Sequence, residues 1–136
     1  MTIKLYNTLT RRLEEFKPIK PAEIGIYSCG PTVYWNQHIG NMYAYVHWDV
    51  LVRYLRYLGY LTKRVMNITD VGHMTSDEDA GDDKMEKGAA REGKTAWQIA
   101  EFYTKSFKND LKDLDILPAD KMPKATSHIK VQIALI

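Results

Sequence analysis

Apolar and polar positions along this chain change period several times, and each change marks an element. Lys4–Asn7 reads as a short strand. Residues 8–20 are charged and run into Pro18 and Pro21, a composition that suits a loop or a hairpin. The stretch Ile24-Gly25-Ile26-Tyr27-Ser28 predicts the next strand. Gly30-Pro31 then turns the chain, with Gly30 pushed toward extended geometry by the proline after it. From 38–41 to Leu58 the period becomes helical. Val46, Val50, Leu51, Tyr54, Leu55 and Leu58 recur at helical spacing and predict a buried stripe. Gly59 suits the left-handed position after a helix, and 62–68 predicts a second strand. Strand, helix and strand in this order predict a right-handed βαβ unit, hence a parallel sheet and an α/β fold.

Beyond it, 69–93 is acidic and predicts a loop with a short helix near 82–92. Thr95 followed by Gln98 predicts a capping box opening another helix, with Ile99, Tyr103, Phe107, Leu111 and Leu114 as its buried stripe. Pro118 closes that region. A last helix is expected after Pro123, with Ile129, Ile133 and Ile136 on one face. Its ending on an apolar face carries the expectation that the chain is cut within an element.

Composition narrows the class. The 136 residues are enough for one domain. No apolar run approaches the roughly 18 to 20 residues a membrane span needs, and the first residues lack the apolar stretch of a signal peptide. A single cysteine, Cys29, permits no internal disulfide, and a reducing cytoplasm is the expected setting. A net charge of +2 is too small to argue for nucleic acid by itself.

The chemistry concentrates between Cys29 and Asn41. His38 and Asn41 stand three apart and share a helix face at its first turn. Free backbone N–H groups and the positive end of the helix dipole attract phosphate there and disfavour an imidazolium, so a neutral His38 is expected to donate a hydrogen bond. Gly40 would let a nucleotide approach the backbone. The plainer alternative makes His38 a helix-start residue and nothing more. For Cys29 the alternatives are a buried small apolar residue and a metal ligand. For Thr69 and Asp70 they are a strand-end turn and a ligand contact. Asp77-Glu78-Asp79-Ala80-Gly81-Asp82 does not match a calcium loop and reads as a solvated charge run.

Tyr27-Ser28-Cys29-Gly30-Pro31-Thr32-Val33-Tyr34 with His38-Ile39-Gly40-Asn41 resembles the N-terminal signature of the cysteinyl-tRNA synthetase family. Lys4-Leu5-Tyr6-Asn7-Thr8-Leu9-Thr10-Arg11, Asn67-Ile68-Thr69-Asp70 and Ala125-Thr126-Ser127-His128-Ile129 extend the resemblance over nearly the whole chain. It implies a Rossmann-type class I catalytic domain, with 1–136 as the N-terminal half of its nucleotide-binding domain and no anticodon-binding domain. His38, Gly40 and Asn41 fall on the family's HIGH motif, Asn41 replacing the last His. With Gly30 they would hold ATP and its Mg2+, and His38 and Asn41 would stabilise charge as the carboxylate of L-cysteine attacks the α-phosphate. Cys29 would ligate Zn2+, against which the substrate thiol is read. Gly30 and Thr69 would line the cysteine pocket beside Cys29, and tRNA(Cys) would be the final acceptor.

The departures are as informative. Trp35 stands where the family commonly has Asp, and Tyr43 where Arg often follows. Residues 72–81, including His73, look like an insertion. The family's other zinc ligands and its KMSKS loop come later than this chain reaches. Full aminoacylation is therefore not expected of these 136 residues alone, which should show weak nucleotide binding and exposed apolar surface where the missing half would pack. The rival readings are a cysteine ligase of the same fold acting on a small aminoglycoside, a non-catalytic binding module, and a plain βαβ domain without ligands.

Overall fold

The computed structural model describes residues 3–71 and 93–136. The chain opens with a hairpin of β1 (Lys4–Asn7) and β2 (Arg12–Glu15), paired antiparallel from Lys4 opposite Glu15 to Asn7 opposite Arg12. Of the two expectations for 8–20, the hairpin is therefore the one realised. The next strand, β3 (Glu23–Ser28), leads through a turn into helix α1 (Ile39–Tyr57), which returns the chain to β4 (Leu61–Met66). β3 and β4 pair parallel, Glu23 opposite Leu61 through Ser28 opposite Met66. The expected parallel βαβ unit is present. Gly59, at φ +90, makes the left-handed turn between α1 and β4.

Helix α2 (Ala96–Asp113) begins at the expected capping box: Gln98 N–H donates to Thr95 Oγ1 at 3.3 Å, and Thr95 N–H donates to Gln98 Oε1 at 2.9 Å. After it the chain runs beside β4. Bridges join Val65 to Lys121 and Ile68 to Lys124, both parallel, so this segment begins a third strand position. A short 3-10 turn (Ala125–His128) and helix α3 (Ile129–Leu135) follow. Among the described residues no helix is long and apolar enough to cross a membrane. The acidic run, the short helix expected near 82–92, His73 and the apparent insertion lie outside the described residues.

The core lies where α1, α2 and β4 meet. It contains Val33, Met42, Tyr45, Met66, Ile68, Ile99, Tyr103, Phe107, Leu111 and Ile116. Tyr45 of α1 and Phe107 of α2 touch ring to ring at 5.0 Å. Burying such aromatic faces supplies much of the packing energy in a domain of this size. Four members of the stripe expected on α2 are buried, but Leu114, which caps the helix, is 48% exposed.

Helix α1 differs more from its expected stripe. Leu55 is buried, whereas Val46, Val50 and Tyr54 are exposed. The buried face instead carries Met42, Tyr45, Asp49, Val52 and Leu55. Apolar residues occur on nearly every side of this helix, so periodicity could not choose the face. Asp49 hid the choice, because a buried carboxylate interrupts the apolar pattern. Its burial is matched by partners: Arg53 Nε donates at 2.6 Å and the Leu117 backbone N–H at 2.9 Å. Ile129, Ile133 and Ile136 are likewise exposed.

Asp49 thus anchors the 115–117 segment to α1. Arg53 extends the link, reaching the backbone carbonyl of Asp115. Asp49→Ala would leave the half-buried Leu117 N–H without its partner. A loss of about 2–3 kcal/mol is expected, read as a lower urea midpoint. Asp49→Asn, which keeps one acceptor oxygen, should lose less. An unchanged midpoint in both would show that other contacts hold the segment.

Candidate active site

Ligands in open parallel sheets gather beyond the carboxyl ends of the strands. Here β3 ends at Ser28 and continues into Cys29 and Gly30, while β4 ends at Met66 and continues into Asn67–Thr69. The two ends are tied together by backbone. Val33 N–H donates to the Thr69 carbonyl at 3.1 Å, and Thr69 N–H donates to the Pro31 carbonyl at 3.0 Å.

Gly30 sits at the tightest point. A Cβ on it would lie 1.5 Å from the Asn67 carbonyl oxygen, so no side chain fits there. Its N–H donates to Asn67 Oδ1 at 2.8 Å. The same oxygen accepts from Tyr27 Oη at 2.9 Å, and Asn67 Nδ2 donates to Thr69 Oγ1 at 3.2 Å. One side chain therefore joins both strand ends. Asn67 was missed in reading the sequence. The one available signal was an amide two residues before a candidate pocket threonine.

The start of α1 faces the same region. His38 is the N-cap, and Gly40 N–H donates to its Nδ1 at 3.1 Å. A backbone N–H only donates, so Nδ1 is the acceptor and the ring proton sits on Nε2. Nε2 is thereby left as the ring nitrogen able to donate. A Cβ on Gly40 would come within 3.0 Å of the His38 ring, so this glycine makes room for the folded-back imidazole. Asn41 Oδ1 accepts from His38 N–H at 3.4 Å, completing a reciprocal cap and leaving Asn41 Nδ2 to donate elsewhere.

His38, Asn41, Gly30, Trp35 and Tyr45 line one cleft of about 360 Å³. Cys29 and Thr69 are not among the residues that wall it; Cys29 precedes Gly30 in the chain, and Thr69 is linked to Gly30 through Asn67. Cys29 is exposed, which removes the reading of it as a buried apolar filler. Its thiol rests 3.7 Å from the Gly30 carbonyl. Asp70 is buried and accepts from Thr126 N–H at 3.1 Å and Thr126 Oγ1 at 2.6 Å. Its carboxylate is committed to capping the turn at 125–128.

Trp35, one of the two unusual residues, packs against Tyr103 of α2 at 5.7 Å between ring centroids. Beside it, Ser106 Oγ donates to Asn36 Oδ1 at 3.1 Å. Together they fasten the rim of the cleft to α2. The other, Tyr43, is exposed and packs tilted against His47, ring centroids 4.0 Å apart.

Comparison with known proteins places the chain in a family. The family model for the tRNA synthetases class I (C) catalytic domain matches residues 15–136. The chain belongs to that family. It is 54% identical over 136 residues to a cysteine–tRNA ligase of Treponema denticola, covering all of this chain and 28% of that protein. It is 49% identical over 132 residues to one from Zymomonas mobilis, covering 97% of this chain and 26% of the relative. A Borreliella burgdorferi cysteine–tRNA ligase is 45% identical over 136 residues, again 28% of its length. The chain therefore spans little more than a quarter of the curated relatives it matches. The resemblance read from the Cys29–Asn41 signature is borne out, and so is the Rossmann-type α/β class.

Zinc is a stricter question. Among the described residues no three His, Cys, Asp or Glu side chains come together as a metal group. Cys29 fits as a single accessible thiolate ligand, and one ligand does not make a zinc site. The described residues therefore do not build such a site by themselves.

Two outcomes follow from the site's construction. Gly30→Ala should destabilise the chain by about 3 kcal/mol, because backbone rather than a flexible side chain must give way. Chemical denaturation reads this, and a loss below about 1 kcal/mol would mean the strand ends separate easily. The Tyr45 phenol is pushed up to about 12 by burial and by the nearby Cys29 charge, against the opposing effect of Arg64. Unfolded tyrosine ionises near 10. The unfolded state therefore loses its proton first, and stability should fall between about pH 10 and 12. Tyr45→Phe should flatten that part of the stability–pH curve, and an unchanged slope would assign the loss to other groups.

Proposed function

We propose that this chain is the nucleotide- and cysteine-binding segment of a cysteine–tRNA ligase, which activates L-cysteine with ATP to cysteinyl-adenylate and transfers it to tRNA(Cys). The observation that carries this reading is the reciprocal cap at the start of α1. It turns His38 Nε2–H and Asn41 Nδ2 into uncommitted donors in one cleft, at a helix end that favours phosphate.

Activation asks little covalent work of the protein. The cysteine carboxylate oxygen attacks the α-phosphorus, the bond to pyrophosphate breaks, and negative charge moves over the phosphate oxygens. Fixed donors that meet this charge without reorganising lower the barrier. His38 and Asn41 are such donors because folding already sets their orientation. Gly30 lets the two strand ends converge and Gly40 leaves room for the His38 ring, so both act by shaping the cleft rather than by exposing backbone to substrate; Mg2+ accompanies ATP.

Cys29 is this chain's contribution to a zinc site whose other ligands lie outside the described residues. Zinc bound there would favour a substrate thiol over a hydroxyl, a difference of chemistry rather than of size. Cys29 supplies the thiolate, and its place beside Gly30 brings that thiolate next to the pocket that Gly30 and Thr69 would form. Domain assignment follows: 1–136 forms part of the nucleotide-binding domain. The cytoplasm, where protein synthesis draws its charged tRNA, is the setting for this activity.

The test is ATP binding by the chain, with cysteine-dependent pyrophosphate exchange measured alongside. Wild type should bind ATP weakly. His38→Asn keeps an N-cap acceptor but loses the Nε2 donor. It should retain the helical circular dichroism of wild type and bind ATP about tenfold more weakly. A folded wild-type chain that binds no ATP, or a His38→Asn variant that binds as wild type does, would overturn the assignment.

A further inference from the structure

Asn67 offers an inference that rests on the cysteine-pocket reading of Thr69 and goes beyond it. Its amide could in principle sit either way round, and the two orientations give Thr69 opposite roles. Neighbouring groups remove that freedom. The Gly30 backbone N–H has no acceptor character, so the atom 2.8 Å away must be Oδ1. That places Nδ2 toward Thr69, 3.2 Å from Oγ1. Nδ2 only donates, so Oγ1 accepts. Tyr27 Oη, 2.9 Å from Oδ1, must then be a donor as well. One backbone N–H thus decides the polarity of four groups in series.

We infer that Asn67 is a positioning residue that sets the Thr69 hydroxyl as an outward donor. With one lone pair held by Nδ2, the hydroxyl proton points away from Asn67 and meets an acceptor atom of the ligand, such as a carboxylate oxygen of the amino acid. Asn67 touches no substrate itself. It acts through Thr69 on one strand end and through Gly30 on the other, so both walls of the pocket are oriented by one side chain.

Asn67→Asp isolates this role. It is isosteric, and one carboxylate oxygen still accepts from Gly30 and Tyr27. The other now accepts where Nδ2 donated, so the Thr69 hydroxyl must turn its proton inward. The test uses the isotope-labelled chain and nuclear magnetic resonance, first without ligand. Thr69→Val should move the Asn67 side-chain amide resonances and speed their proton exchange, leaving the Gly30 amide in place. L-cysteine is then titrated. Asn67→Asp should weaken its binding about tenfold, the value of one inverted hydrogen bond. In a Thr69→Val background the same change should have little further effect, whereas simple charge repulsion would persist there.

Asn67 amide resonances indifferent to Thr69→Val would overturn the inference. So would Asn67→Asp binding cysteine as wild type does, or losing equally in both backgrounds. A wild-type chain that shows no response to cysteine counts against the pocket reading instead. The ligand-free spectra then decide the hydroxyl's polarity by themselves.

Discussion

The contact between Gly30 and Asn67 is the constraint on which the rest of the site depends. Two parallel strands leave the sheet side by side, and their chains must diverge to reach different helices. Here they first converge, until the α-carbon of one lies against the carbonyl of the other. Only glycine permits that approach. From this point the directions of Cys29, the turn through Pro31 to Val33, and Thr69 follow. Val33 is then carried into the core, and the chain beyond it delivers His38 to the start of α1.

Polar groups around this contact are connected in a way that leaves little freedom. Asn67 bridges the strand ends, His38 and Asn41 cap each other, Asp70 holds Thr126, and Asp49 holds Leu117. In each case a side chain satisfies a backbone N–H that would otherwise be costly to bury or to leave at a helix end. The site is built on these fixed donors and acceptors rather than on charge. That suits a reaction in which charge shifts within the substrates and no protein nucleophile takes part.

How much of this was legible in the sequence depends on the physics of each feature. The βαβ unit was readable because apolar runs of strand and helix period differ sharply, and Gly59 and Thr95 marked boundaries through local chemistry. The start of α1 near His38 was readable for the same reason, but its reciprocal cap with Asn41 was not. The buried face of α1 was not, because one of the partners that matches the burial of Asp49, Leu117, is far away in sequence, and Val46, Val50 and Tyr54 imitate a core stripe. Asn67 was hidden too. Its importance arises from a neighbour thirty-seven positions earlier, and no local pattern announces such a meeting.

The cap at His38 has a thermodynamic corollary. The imidazole that orders the first turn of α1 is also the group that would meet phosphate, so the two events share one free energy. Any ligand that favours the capped ring must also suppress fraying of that helix end. By the same reciprocity, anything that frays the end must weaken the ligand by an equal factor. Helix order and any nucleotide affinity at this site would therefore be a single coupled equilibrium, measurable from either side.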